Sequence, residues 1–456
     1  MSRTTRHALA AFTAALLLAP PAALRAAEPT SDGRQLPAAD LLKAEPEAIE
    51  AWKDMRFGMF ICWGPVSLTE REIGWSRGKP TPIEEYDNLY KKWNPDKFDA
   101  RQWVKIAKDS GARYIVFLLK HHDGFCLWDT KQTDHNIMNG PFRRDVAKEI
   151  AAACREQGIG FFPYYSTCDW HHPDFPLTSP GGKVRRPVSN LDRYNDYLEA
   201  QAKELITGYG PLVGIWFDVP QCFDRARGER VIRFARSLQP DILVNNRTGA
   251  PGDFDTPEQK IGSFNMTRPW ESCMTVSRRG QWTWGGADDG VKSHQACLEM
   301  LLRCAGGDGN MVLNVGPRPD GIIDPEQANR LKEIGVWLRK YGESIYGTRG
   351  GPYTPGRNVT STRKGKVVYL HILNWPATGD LRLPALPAQI NSATLLTGGN
   401  VQVTPEGSDL VVKVAPEHRQ AIDTLVKLEL DKPASGIAPI KLPEPEAPAQ
   451  KKRVKK

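Results

Sequence analysis

The 456-residue chain is 40% hydrophobic and 25% charged, the balance of a folded protein, and its length suits two or three domains or one large barrel with a smaller companion. Its net charge of +8 is confined to the ends: without Arg3, Arg6, Arg25, Lys451, Lys452, Arg453, Lys455 and Lys456 the chain is neutral, which argues against a nucleic-acid-binding body. Eight cysteines with no C-x-x-C pair are too sparse for a disulfide framework and do not suggest structural zinc.

Residues 1–27 carry Arg3, Arg6 and His7, then an apolar run from Ala8 to Leu24, then small residues, with no acid before Glu28. That is the layout of an export signal, and Pro20 and Pro21 shorten the run below the ~20 residues a membrane span needs. The mature chain is therefore expected outside the cytoplasm, periplasmic or extracellular, with no membrane span.

From residue 40 to 348 strand-like and helix-like stretches alternate. Strand candidates are 55–63, 113–120, 159–165, 212–218, 241–246 and 310–315; helix candidates are 99–111, 145–158, 198–206, 230–237, 294–304 and 325–341. Repeated βα units over this length point to a TIM-like (β/α) barrel, with an open doubly wound sheet as the alternative. No glycine-rich phosphate loop follows any strand, which weakens the nucleotide-binding form of that alternative. Between 352 and 432 short strands at 367–374, 380–383, 393–396, 409–414 and 424–430 read as a C-terminal β-sandwich, and 433–456, rich in Pro, Ala and Lys, as a disordered basic tail.

Barrel enzymes place their chemistry at the C-terminal ends of the strands. There the sequence delivers Cys62 and Trp63, His121 and His122, Tyr165, Trp216 and Asp218, Arg247, and Glu271 in a loop. Asp218 ends an apolar strand, and Trp216, two residues earlier, shares its face. A carboxylate walled by an indole is a candidate nucleophile; the competing reading is a helix cap. The 13 tryptophans, many beside His, Asp or Glu, suit a sugar, which has apolar faces and a rim of hydroxyls. A metal site built from His121, His122, Asp123, His171 and His172 is a rival reading, but adjacent histidines diverge where ligands must converge.

The series WGPVS (63–67), KHHDGF (120–125), YYS..DW (164–170), WFD (216–218), NNR (245–247), WE.C (270–273) and LNVGP.PDG (313–321) resembles the α-L-fucosidases of glycoside hydrolase family 29 over the whole barrel. The resemblance implies hydrolysis of terminal α-L-fucose from a fucosylated oligosaccharide or glycoconjugate, with retention of configuration and without metal or cofactor. It implies Asp218 as nucleophile, with His121, His122, Tyr165, Trp216, Arg247, Trp63 and Cys62 around the sugar. Glu271 is the preferred acid/base, with Glu258 and Asp253 as rivals. Two departures stand out: Cys62 occupies the place of the family's usual histidine, and the segment from Leu68 to Trp75 lacks the usual Glu-Trp-Tyr, leaving Glu72 or Trp75 to substitute. The rivals to a fucosidase are a non-catalytic sugar-binding relative, a glycosidase for a related sugar such as galactose, and a metal-dependent hydrolase.

Overall fold

The computed structural model describes residues 40–178, 184–376 and 379–442. The expected export signal, 1–27, and the end of the basic tail, 443–456, lie outside the described residues.

Seven parallel strands form the first sheet of the described residues: β1 (Phe57–Ile61), β2 (Tyr114–Lys120), β3 (Gly160–Ser166), β4 (Gly214–Asp218), β5 (Leu243–Val244), β6 (Glu271–Thr275) and β7 (Asn310–Val315), in the order β5-β4-β3-β2-β1-β7-β6. Between β5 and β6 the irregular segment 253–258 takes the place of a stave. It touches its neighbours through single parallel bridges, Asn245 to Phe254, Asp255 to Trp270 and Glu258 to Cys273. The result is a TIM-like barrel.

Its helices begin where a side chain caps their free N–H groups: Asp99 before α3 (Ala100–Asp109), Asp145 before α4 (Val146–Gln157), Asn190 before α5 (Leu191–Tyr209), Asp224 before α6 (Arg225–Leu238), Ser293 before α7 (His294–Gly306) and Asp324 before α8 (Pro325–Tyr341). Two short helices precede these, α1 (Pro46–Met55) and α2 (Ile83–Asp87).

Strand alternation splits the barrel residues between two apolar clusters. Val116, Phe162, Tyr164, Trp216 and Val312 belong to the interior cluster, and Ile115, Phe161, Tyr165, Ile215 and Phe217 to the one beneath the helices. Gly58 makes the interior possible at one point, since a Cβ there would lie 2.6 Å from the Tyr114 ring.

The second domain packs β8 (Arg349–Gly350), β9 (Val359–Lys364), β10 (Val367–Ile372), β12 (Ile390–Leu395) and β15 (Thr424–Leu430) in one antiparallel sheet against β11 (Leu381–Pro384), β13 (Val401–Glu406) and β14 (Asp409–Val414) in another. Val368, Leu370, Val412, Val426 and Leu428 fill the sandwich. The chain does not become a tail at Pro433: Ala434 and Ile437 are buried and Ile440 pairs with Tyr353, because apolar residues recur among the prolines here. The segment around Glu271 is a strand, β6, rather than the expected loop. Its polar residues disguise it, yet each finds a partner inside, as where Ser272 Oγ donates to the Lys260 carbonyl. Among the described residues no helix is long and apolar enough to cross a membrane.

Candidate active site

A cavity open to solvent lies where the barrel strands end. Strand β4 brings Trp216 and Asp218 to it, β3 brings Tyr164, β1 brings Phe60 with Cys62 just past its end, and the turn after β2 brings His121 and His122. Val219, Arg247, Glu258, Cys273, Trp75 and Trp282 complete the wall.

The Asp218 carboxylate is held on both oxygens. Oδ1 accepts from Arg247 Nη1 at 2.8 Å and from the Val219 N–H at 2.9 Å, and Oδ2 accepts from the Tyr164 hydroxyl at 2.5 Å. Burial, and then the charge of Asp218, push the Tyr164 phenol well above its usual value, so it remains a donor. Arg247 is itself clamped: its Nε donates to Thr256 Oγ1 at 2.7 Å and its Nη2 to the Thr256 carbonyl at 2.9 Å, with the guanidinium 5.0 Å over the Trp216 ring. The same Nη1 lies 2.9 Å from Glu258 Oε2. Two carboxylate oxygens that touch one nitrogen at 2.8 and 2.9 Å are no further apart than the sum, about 5.7 Å.

Burial drives the His121 pKa well below its usual value and takes His122 to about 3, with the neighbouring imidazole assisting at His121 and Arg247 and Lys120 at His122. Both rings are therefore neutral near pH 7, and each offers one N–H and one lone pair. His122 Nδ1 is 2.7 Å from Ser166 Oγ, and Trp75 and Trp170 meet its ring edge-on at 5.3 Å. Burial, then Glu72, push the Cys62 thiol up, and burial does the same at Cys273, so both present S–H groups.

Four expected residues lie elsewhere. Trp63 packs outside the barrel against Trp93, Phe98 and Trp103, because neighbours on an extended chain face opposite ways and Cys62 takes the interior. Tyr165 is likewise outside, its hydroxyl donating to Gln201 Oε1 at 2.7 Å and accepting from Lys120 Nζ at 2.9 Å; the register that pairs Tyr164 with Trp216 puts Tyr164 in the cavity instead. Asp253 is a buried ion-pair partner of Arg236 and accepts from the N–H groups of Ala44 and Val244. Glu271 is buried below the cavity, accepting from the Tyr114 hydroxyl and from Trp216 Nε1 at 3.1 Å. Burial raises its pKa to about 7 against the pull of those donors, a value suited to a general acid, but the residue does not line the cavity. The residues of the rival metal set also have other partners: Asp123 Oδ2 accepts from the Tyr86 hydroxyl at 2.6 Å, and His171 stacks on His135.

Phe60, Tyr164, Val219, Cys273 and Trp282 were not foreseen. Phe60 and Tyr164 were within reach, since each is an aromatic residue at or near a strand end, whereas Trp282 lies in the long loop after β6. Glu72 stays out of the cavity wall and accepts the Trp282 N–H at 2.9 Å, whereas Trp75 stands at the mouth.

A family model described as Alpha-L-fucosidase matches residues 23–343. Human plasma alpha-L-fucosidase is 29% identical over 393 residues, covering 77% of this chain and 79% of the relative. The structure of alpha-L-fucosidase isoenzyme 1 from Paenibacillus thiaminolyticus superposes with a TM-score of 0.77 at 31% identity, covering 85% of this chain and 99% of its own. A Bacteroides thetaiotaomicron alpha-L-fucosidase of family 29, trapped as a covalent intermediate in complex with 2-fluoro-fucosyl fluoride, superposes with a TM-score of 0.76 at 26% identity, covering 85% and 97%. These matches settle the ancestry: the chain belongs to the α-L-fucosidase family, glycoside hydrolase family 29, and is a glycoside hydrolase.

Proposed function

We propose that the chain is an exported, retaining exo-α-L-fucosidase in which Asp218 is the nucleophile and Glu258 the acid/base. The observation that carries the reading is the shared Arg247 nitrogen, which holds one oxygen of each carboxylate within about 5.7 Å of the other, close enough for the ~5–5.5 Å pairing of retaining glycosidases. Glu258, with a side chain 43% exposed, is open to a leaving group and to water; Glu271 is open to neither.

In the first step an Asp218 oxygen attacks the anomeric carbon as the carbon–oxygen bond to the leaving group breaks, and Glu258 gives its proton to the departing oxygen. In the second, Glu258 takes a proton from water, the water oxygen bonds to the same carbon, and Asp218 is released; two inversions give net retention. Arg247 turns both carboxylates toward one point. Neutral His121 and His122 offer hydrogen bonds to ring hydroxyls, and Trp216 a flat face for the ring.

One observation favours a second reading, hydrolysis of a related sugar: the Cys62 S–H is a weak hydrogen-bond partner where the family usually has an imidazole. Proton NMR of the first product released from aryl α-L-fucoside and aryl galactoside substrates tests both. Early appearance of α-L-fucose supports the proposal; β-fucose, or turnover of galactosides alone, rejects it.

A further inference from the structure

Val219, directly after Asp218, has φ of +48°, in the left-handed region. It is the one β-branched residue there among the described residues, and for such a side chain that conformation is strained. The ordinary relief is a flip of the Asp218–Val219 peptide plane. A flip would swing the Val219 N–H off Asp218 Oδ1 and carry the Asp218 carbonyl away from its present partners.

Those partners belong to one residue. Thr167, buried in the loop after β3, donates its N–H to the Asp218 carbonyl at 2.8 Å, and its hydroxyl lies 2.8 Å from both the Asp218 and Val219 carbonyl oxygens. The Val219 carbonyl also accepts from Cys168 Sγ at 2.9 Å and from the Gln221 N–H at 2.9 Å. Thr167 is anchored in turn, its carbonyl accepting the Tyr194 hydroxyl at 2.8 Å.

We propose that Thr167 is a positioning residue for the nucleophile: its hydroxyl locks the strained Asp218–Val219 peptide so that the Val219 N–H and Arg247 both hold Asp218 Oδ1. The inference rests on Asp218 being the nucleophile. Thr167 touches no substrate and acts through the backbone of Asp218.

The test is kinetic, on an aryl α-L-fucoside, with the full chain. Thr167→Val, of nearly the same shape, is expected to lower kcat at least tenfold with KM within about twofold, and Thr167→Ser to restore kcat to within threefold. Glycine holds the left-handed conformation without strain. In a Val219→Gly background the thermal midpoint should therefore rise, and adding Thr167→Val should cost less than threefold. A merely structural threonine would give the same loss in both backgrounds. Should Thr167→Val fail to fold, Thr167→Ala carries the same expectation. Unchanged kcat in Thr167→Val, or an equal loss in the Val219→Gly background, overturns the inference. Asp218→Ala run in parallel separates the two claims: if it stays active, the proposed function and this inference both fall, whereas if it is dead and Thr167→Val is normal, only the inference does.

Discussion

Strand β4 and the irregular stave 253–258 each bring one carboxylate to the cavity, and they are built to opposite standards. β4 pairs with β3 from Trp216 to Asp218 and with β5 at Gly214 and Ile215, every residue is buried, and Asp218 takes three donors. The 253–258 stave makes only single bridges, and Glu258 is tied to the barrel by Arg247 and the bridge to Cys273. The difference matches the proposed chemistry. A nucleophile must stand in line with the bond it attacks, where a displacement of an ångström is costly, whereas a proton donor must first face the leaving group and then a water.

The contrast is broken most severely at Asp218. Asp218→Ala should lower kcat by roughly 10³-fold or more while the circular dichroism spectrum and thermal midpoint stay near those of the parent. Turnover within a few-fold of the parent would end the assignment. Next in size is Glu258→Ala, for which a loss of roughly 10²–10⁴ in kcat/KM is expected on substrates with poor leaving groups. The loss should shrink on activated aryl fucosides, which need no proton. Equal losses on both would make Glu258 a binding residue and reopen the search for the acid.

The pair Tyr164 and Tyr165 sharpens the comparison at a smaller scale. Tyr164→Phe removes a donor from Asp218 and should cost about tenfold in kcat, or about 1.4 kcal/mol of barrier. Tyr165→Phe should leave kcat within twofold and lower the thermal midpoint, because Lys120 and Gln201 lose a buried partner. The reverse pattern would mean that β3 presents its other face.

Those two tyrosines also mark where the sequence stops being informative. Alternation within one strand is legible, so Trp216 and Asp218 could be placed together from their spacing alone. Which face of a neighbouring strand turns inward depends on register, and nothing local distinguishes Tyr164 from Tyr165. Cys62 and Trp63 posed the same problem. The regular βα units were readable because apolar runs, caps and glycine stops agree with one another. β6 was missed because ESCMT satisfies its polar groups internally, and β13, VQVTPE, because it leaves most of its residues exposed. The proposed acid/base was the hardest case, since Glu258 rides on a stave with no regular strand pattern.

Glu271 supplies the last test, of stability rather than rate. Its pKa is raised from 4.5 to about 7 by burial, so the folded state holds this proton more tightly than the unfolded chain. Its stabilising contribution is full below about pH 4.5 and is lost as pH rises toward 7, by roughly 3 kcal/mol across that window. Glu72, also raised to about 7, and Asp123, raised to about 6, add slopes of the same sign. Glu271→Gln keeps an acceptor for Tyr114 or Trp216 and cannot ionise, so denaturant titrations at pH 5 and pH 7.5 should show a smaller difference in the variant than in the parent. On the proposed assignment, kcat should stay within a few-fold at both pH values, because this carboxyl is buried and does not line the cavity. A variant that kept the parent's pH dependence of stability but lost turnover would move the proton donor from the exposed stave back to the barrel floor.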